Sequence, residues 1–146
     1  MSVVGNDLYF YARAQKFFEL SNFYPSSFQI GEVWWKTVEH YFQAQKSPKD
    51  RDREYIRGLP TPNLAKRVGR QIRLREDWEE IKEDVMYRAL KAKFTQNSTL
   101  KMILLSTGST ILKERSPDDV YWGYKGKNRL GILLMKLRDE LSEERD

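Results

Sequence analysis

Apolar residues recur at helical spacing along the second half of the chain. In residues 77–94 an apolar stripe is accompanied by acidic residues in the first turns, where negative charge suits the helix dipole. The C-terminal segment has the clearest pattern, with leucines at the i, i+3, i+4, i+7 and i+11 positions of one helix face. We therefore predict two amphipathic helices and assign the leucine stripe to the core. Its members are Leu130, Leu133, Leu134, Leu137 and Leu141.

Two lysines, Lys82 and Lys93, border the stripe of residues 77–94. Lysine side chains in such places can extend to water while their methylene groups cover apolar surface. We expect this of Lys93. For Lys82 two arrangements stay open, because its side chain could extend to water in the same way or reach into a pocket.

Capping and turn residues predict shorter helices elsewhere. Thr37 is the predicted N-cap of an opening helix that ends at Pro48. Thr61, followed by a proline suited to the first helical turn, starts a short basic helix that stops at residues 69–70. An Asn-Ser pair starts another helix over residues 97–108, where a glycine favours its end.

Three segments have the composition of short strands, namely residues 8–12, 27–35 and 109–114. The middle segment alternates around a Gly31-Glu32 turn. No internal repeat or interdomain linker is visible. The predicted fold is therefore mainly α (α+β), a single helical domain over residues 1–146 with a few short strands.

The composition of the 146 residues limits the available chemistry. Without cysteine there can be no disulfide, thiolate metal site or cysteine nucleophile, and the single histidine, His40, cannot build a multi-histidine metal centre. We expect no metal, no cofactor, and catalysis by carboxylates, lysines or backbone groups. No segment approaches the roughly 18 consecutive apolar residues of a membrane span, and the N-terminus lacks a signal-peptide pattern. We expect a soluble cytoplasmic protein without membrane association.

The positive charge of the chain is concentrated in residues 49–75. That stretch holds nine basic and three acidic residues, whereas the chain as a whole has a net charge of +5. A local excess of lysine and arginine attracts anionic partners such as phosphorylated metabolites or nucleic acid. The alternative is that the stretch is ordinary solvated surface.

The opening helix carries an unusual polar group. At about 100° per residue, Glu39, Gln43 and Lys46 fall on one face and border the apolar stripe instead of opposing it. Burying such groups costs free energy unless partners or a ligand satisfy them. This indicates a functional site, although Glu39 and Lys46 could also be residues at the rim of the core.

The segment before the last helix, residues 118–129, mixes acids, aromatics, glycines and bases. Free backbone N–H groups at a helix start attract phosphate, and aromatic rings can stack on a base. The composition therefore suits an anionic, aromatic ligand. Two residues have structural alternatives, because Asn128 could be an N-cap and Trp122 a buried plug.

Two runs of sequence, LSNFYP at residues 20–25 and TVEHYFQAQK at residues 37–46, resemble the NADAR superfamily. Within it the chain is most similar to the YbiA-like N-glycosidases associated with riboflavin biosynthesis, across nearly all of residues 8–142. Further residues match that family in order. They are Trp78, Lys82, Val85, Met86, Leu90, Lys93, Phe94, Thr107, Gly108, Asp119, Trp122, Gly123 and residues 128–135.

The resemblance implies the mainly helical YbiA-like/NADAR fold and hydrolysis of the N-glycosidic bond between a base-like amine and a phosphate-bearing ribose. Riboflavin-pathway members act on phosphoribosylamino-pyrimidine intermediates and release ribose 5-phosphate. Related members remove ADP-ribose from guanine bases. The implied partner is therefore a small phosphoribosyl or ADP-ribosyl molecule, with ADP-ribosylated nucleic acid as an alternative.

The matched residues allow roles to be assigned. Glu39 is the candidate for stabilising an oxocarbenium-like transition state and activating water, and Asp119 is the candidate second carboxylate. Lys46 offers another route, in which its amine attacks the anomeric carbon and carries the sugar as a Schiff base. Candidate substrate contacts are Trp78 and Trp122 to the base, Asn22 and Asn128 to hydrogen-bonding groups, Lys82 and Arg129 to phosphate, and Gln43 as an amide that holds its helix neighbours.

Two alternatives stay open. Trp78 could belong to the core instead of a pocket. A non-catalytic nucleic-acid or nucleotide-binding module, using the basic residues 49–75, is the alternative of another class; it would lose affinity steeply with salt and would not need Glu39.

Overall fold

The computed structural model describes residues 6–12 and 16–144. Six α-helices, a 3-10 helix and four short strands lie within these ranges, which confirms the predicted fold class. In chain order they are β1 (Asp7–Phe10), the 3-10 helix (Phe18–Leu20), β2 (Phe28–Ile30), β3 (Val33–Trp35), α1 (Val38–Ala44), α2 (Asp50–Arg57), α3 (Pro62–Gly69), α4 (Trp78–Gln96), α5 (Ser98–Ser106), β4 (Ile111–Glu114) and α6 (Arg129–Glu144).

The chain divides into two compact units, and the first comprises the N-terminal part up to Ser21 together with the chain from Asn97 onward. In this unit β1 pairs in parallel with β4. The α6 helix packs against β4, and the predicted leucine stripe of α6 is buried. Gly131 permits this close packing, because a Cβ atom at that position would lie 2.1 Å from the carbonyl oxygen of Leu112.

The second unit, Asn22–Gln96, contains α1 to α4 and the antiparallel β2-β3 hairpin. The α1 helix contacts α2, α3 and α4, and all seven of its residues are buried. Its start is fixed by Thr37, whose hydroxyl oxygen accepts a hydrogen bond from the backbone N–H of His40 at 3.1 Å. This is the predicted N-cap, and it anchors the helix that carries Glu39.

One helix boundary in the second unit was predicted wrongly, and one helix was not predicted. The opening helix ends at Ala44 instead of Pro48. Backbone N–H groups beyond it bond to carbonyl oxygens three residues earlier instead of four, as Ser47 N–H does to the Ala44 carbonyl at 3.2 Å. The α2 helix was not predicted because it has no apolar stripe, with Ile56 its one buried residue.

In the described part of the chain, no helix is long and apolar enough to cross a lipid bilayer.

Candidate active site

His40 is a structural residue at the base of α1. Its Nε2 lies 2.9 Å from the Leu59 carbonyl oxygen, so that this nitrogen carries the proton and donates it. Its Nδ1 then accepts from the Thr37 hydroxyl at 2.8 Å. Burial lowers the pKa of His40 and keeps the ring neutral. Both ring nitrogens are thus used in holding the start of α1.

Glu39 and Gln43 form a buried pair one turn apart on α1. The Gln43 Nε2 donates to Glu39 Oε2 at 2.6 Å, and the two residues are 6% and 4% exposed. The backbone N–H of Glu39 donates to the carbonyl oxygen of Asn22 at 3.1 Å, which brings the Asn22 segment to the start of the helix. The predicted association of Glu39 with Gln43 is confirmed, and the pair lies inside the protein instead of at its rim.

Two acceptor oxygens, one in this pair and one in the Asn22 segment, have no hydrogen-bond partner among the described residues. They are Asn22 Oδ1 and Gln43 Oε1, and both are buried. Asn22 is otherwise held weakly, with its Nδ2 lying 3.6 Å from the sulfur of Met86. An unpaired buried acceptor costs free energy until a donor satisfies it. Each oxygen therefore lacks the donor that a buried acceptor normally has, and that of Gln43 lies next to Gly69 of α3.

Lys46 lies two residues beyond the end of α1, so it is not on the helix itself. Its side chain reaches back one turn, where Nζ is 5.6 Å from the centre of the Phe42 ring. The Phe42 ring packs edge-on against Trp78 at a centroid distance of 5.1 Å. Trp78 is only 5% exposed, which favours the core interpretation of this residue over stacking on a base.

The other predicted cation of this unit, Lys82, is paired with Glu79. The Lys82 Nζ is 2.6 Å from Glu79 Oε1, and the lysine side chain is 15% exposed whereas that of Glu79 is 77% exposed. The ammonium group therefore lies at the surface end of a largely covered side chain, in agreement with the first of the two arrangements considered for it.

In the first unit, the segment before α6 is an ordered turn. Oδ1 of Asp119 accepts hydrogen bonds from the backbone N–H groups of Tyr121 at 3.1 Å and Trp122 at 2.9 Å. Trp122 is half-buried, and its ring packs edge-on against Tyr121 at 4.8 Å. Asp119 therefore organises the turn that carries Trp122.

Asn128 connects this turn to the sheet of the first unit. Its Oδ1 accepts from the N–H of Glu114 at 3.1 Å, and its Nδ2 donates to the Leu112 carbonyl at 2.9 Å. These bonds favour a structural role for Asn128 over the predicted contact with substrate. Arg129 follows as the half-buried first residue of α6. The predicted residues thus group by unit, with Asp119, Trp122, Asn128 and Arg129 in the first and the remaining ones in the second.

A cleft of about 840 Å³ lies in the basic stretch of the second unit, and it begins directly after α1. Two of its arginines are neutralised within the chain, since Arg75 pairs with Asp77 at 2.6 Å and Arg53 pairs with Asp50. Arg73 forms no hydrogen bond or ion pair with any described residue. The cleft is lined by Gln45, Pro48, Arg53, Arg73, Leu74, Arg75, Glu76 and Asp77.

The surroundings of two residues in the second unit are not evident from the sequence. Gly69 was predicted only to end a helix, yet a Cβ atom there would lie 2.0 Å from Gln43 Oε1. Lys93 was expected to extend to water, and that prediction was wrong, because the side chain is 1% exposed and its Nζ lies 4.9 Å from the centre of the Phe94 ring. The sequence feature that could have indicated the burial of Lys93 was its position at the edge of the α4 apolar stripe.

Among the described residues, no group of three or more carboxylate or imidazole side chains is placed to hold a metal ion.

Comparison with known proteins gives consistent matches. The NADAR domain matches residues 9–142. N-glycosidase YbiA of Escherichia coli (strain K12) is 44% identical over 142 residues, covering 93% of this chain and 89% of that protein. The chloroplastic riboflavin biosynthesis protein PYRR of Zea mays is 41% identical over 157 residues, covering 93% of this chain and 25% of that longer protein. The solved NMR structure of the E. coli protein YbiA matches with a TM-score of 0.88 at 42% identity, covering 96% of this chain and 87% of that chain.

Proposed function

The chain belongs to the NADAR domain family and is an N-glycosidase, and we propose that its substrates are phosphoribosylamino-pyrimidines of riboflavin biosynthesis. In the proposed reaction, water adds to the anomeric carbon of the ribose, the carbon–nitrogen bond breaks, and the pyrimidine leaves as an amine. Ribose 5-phosphate is the second product. The observation that carries this proposal is the buried Glu39 carboxylate with its Gln43 hydrogen bond, in a chain whose relatives include a riboflavin biosynthesis protein.

Glu39 is suited to the chemistry of this reaction. Breaking the bond builds positive charge at the anomeric carbon, and a carboxylate in a water-poor environment stabilises that charge strongly. The same group can take a proton from the attacking water. Glu39 is 6% exposed, so solvent screens it little, and Gln43 restricts its orientation. Asn22 Oδ1 is the proposed acceptor for a hydroxyl or amino group of the substrate.

The remaining assignments are part of the same proposal. Lys82, in the same unit as Glu39, is assigned to the substrate phosphate in place of its surface partner Glu79. For Trp122 and Arg129 of the first unit, stacking on a base and neutralising phosphate stay assignments from the family resemblance. Asp119 and Asn128 act by shaping the turn before α6, because their side chains are already bonded to the backbone there.

The decisive experiment measures the release of ribose 5-phosphate by wild type and by Glu39→Gln. We expect the variant to fold and bind substrate, while kcat falls by about a hundredfold or more, since it can neither accept a proton nor stabilise positive charge as a carboxylate does. Glu80→Gln is the matched control, because Glu80 is exposed on α4. Turnover by Glu39→Gln within tenfold of the control would overturn the role of Glu39.

Lys46 defines the covalent version of the mechanism. In that version the ribosylamine first opens its ring to an imine, and the neutral Lys46 amine adds to the C1 carbon of that imine. Glu39 carries the proton that the attacking amine loses to the departing base, and water then releases the sugar from the lysine imine. Borohydride reduction during turnover should then leave a sugar adduct, detectable by intact mass and absent in Lys46→Ala. Turnover without an adduct would refute this version and leave direct attack by water.

The cleft after α1 favours a second candidate substrate, ADP-ribose attached to guanine, which carries more anionic charge than a ribose monophosphate. Arg73 is available there to an anion, whereas Arg53 and Arg75 are paired within the chain. Arg73→Glu should then weaken turnover of ADP-ribosylated guanosine and spare the phosphoribosylamino-pyrimidine. Arg70→Glu makes the same charge change at an exposed residue outside the cleft and serves as the control. Equal effects of Arg73→Glu on both substrates would remove this candidate.

A non-catalytic nucleic-acid-binding module finds no support in relatives named as N-glycosidases. Its remaining test is the salt dependence of nucleic-acid affinity in the Glu39→Gln variant. Binding that is strong, unaffected by that change and unaccompanied by any wild-type turnover would favour it.

A further inference from the structure

We propose that Gly69 is a positioning residue for the N-glycosidase reaction, because the missing side chain leaves the space in which Gln43 orients the Glu39 carboxylate. The inference rests on the proposed function for its activity readout. Gly69 is the last residue of α3, and it faces α1 across the contact between these helices.

The geometry leaves no room for a side chain at this position. A Cβ atom on Gly69 would lie 2.0 Å from Oε1, 2.8 Å from Cδ and 3.0 Å from Cβ of Gln43. Distances below 3.0 Å do not occur between such atoms, so one of the groups would have to move. The far end of the glutamine is the more flexible group, and the amide would therefore be displaced.

The backbone conformation does not explain the glycine. Among the described residues, the glycines with positive φ are Gly31 and Gly108, so Gly69 has a conformation that alanine also adopts. Alanine is more favourable than glycine within a helix. The backbone of α3 therefore does not require glycine at this position, and what Gly69 provides is space for the Gln43 amide.

Displacing the amide would act directly on Glu39. The Gln43 Nε2 donates to Glu39 Oε2 at 2.6 Å, and this donor favours the ionised carboxylate in a buried environment. Gln43 is 4% exposed, so the displaced amide has little space in which to keep this bond. A methyl group on α3 would in this way change the position and the protonation of a carboxylate that it does not touch.

The test is a double-mutant cycle with Gly69→Ala and Gln43→Ala, measured as kcat and KM for ribose 5-phosphate release. We expect Gly69→Ala to lower kcat by about a hundredfold with little change in KM, as a displacement of about 1 Å at a reacting group does. In the Gln43→Ala background, Gly69→Ala should have almost no further effect, because the Oε1 and Cδ atoms that it would strike are gone. Gly58→Ala is the matched control, since a Cβ there meets its nearest atom at an ordinary 3.6 Å.

A second readout separates positioning from a general structural defect. In Gly69→Ala and Gln43→Ala, the acid limb of the pH–rate profile should move to higher pH, because the carboxylate has lost a donor that favours its ionised form. The Gly58→Ala profile should stay unchanged. If Gly69→Ala does not fold, the double variant Gly69→Ala/Gln43→Ala should fold, because the Oε1 and Cδ atoms that the methyl group would strike are absent. A double variant that also fails to fold would contradict the inference.

The inference is overturned if Gly69→Ala keeps the wild-type kcat, or if it loses the same factor with and without Gln43. An activity-independent measurement distinguishes this failure from failure of the proposed function. The side-chain amide NMR signals of Gln43 should shift in Gly69→Ala and not in Gly58→Ala. Unmoved signals contradict the inference, whereas a wild type that releases no ribose 5-phosphate contradicts the proposed function.

Discussion

Thr37→Val tests how the helix that carries Glu39 is held in place. Valine has nearly the shape of threonine and suits the extended backbone of this N-cap, so the change removes the hydroxyl group and little else. Two buried groups of His40 then lose their partners. Its backbone N–H loses an acceptor at 3.1 Å, and its ring Nδ1 loses a donor at 2.8 Å.

The decrease in the free energy of unfolding can be estimated from the loss of these two hydrogen bonds. Loss of an N-cap hydroxyl typically costs about 1 kcal/mol. A buried acceptor left without a donor costs about 1 to 3 kcal/mol more, and here His40 is fully buried and Thr37 is 2% exposed. We therefore expect Thr37→Val to lower the free energy of unfolding by about 2 to 4 kcal/mol, a large part of the ~5 to 15 kcal/mol of a typical domain.

Urea unfolding measures this loss, with Thr61→Val as the matched control. Thr61 caps α3 through the Leu64 N–H at 3.2 Å, but it is exposed and bonds no buried ring. It should cost only about 1 kcal/mol. Thr37→Ser, which keeps the hydroxyl, should recover most of the loss. Equal losses for the two valine variants would refute the argument that the buried His40 ring depends on Thr37.

Three further predictions follow from single features of the structure. Burial lowers the pKa of His40 below 6.5, so the unfolded chain binds a proton more readily than the folded chain. The free energy of unfolding should therefore have its full value above pH 6.5 and decrease as the pH falls below it. Measured against pH, this decrease should be smaller in His40→Gln. Asp119→Asn keeps the Oδ1 acceptor of the turn and should retain ribose 5-phosphate release within roughly threefold, whereas a loss as large as that of Glu39→Gln would make it a catalytic carboxylate. Gly131→Ala should lower the free energy of unfolding by about 2 kcal/mol or more in urea, since its methyl group would meet the Leu112 carbonyl, and an unchanged midpoint would contradict this.

The elements predicted correctly are those whose signals are local in sequence. The buried face of α6, the caps Thr37 and Thr61, and the Gly31-Glu32 turn all depend on residues within a few positions of one another. The α2 helix has no such signal. Its residues are mostly polar, and its placement depends on packing against α1 and α3, which the local pattern does not encode.

The same division applies to the site. Glu39 and Gln43 could be paired from sequence, because residues four apart on a helix are neighbours. The roles of Asn128 and Gly69 could not be read in this way. Asn128 bonds to β4, 14 to 16 residues earlier, and Gly69 opposes Gln43 from another helix. Each requires knowledge of which backbone lies opposite, and that is set by tertiary packing.

The α1 helix shows why its neighbours are built as they are. Every residue of α1 is buried, and a helix in that environment is most stable when its residues are apolar. Glu39 and Gln43 depart from this rule, and Gly69 of α3 leaves the space that the Gln43 amide occupies. The Thr37 cap and the fully bonded His40 stabilise the start of the helix. Proteins commonly contain destabilising residues at functional sites and stabilising interactions close to them. The buried polar pair on α1, together with the cap and the bonded histidine at the start of the same helix, has this arrangement.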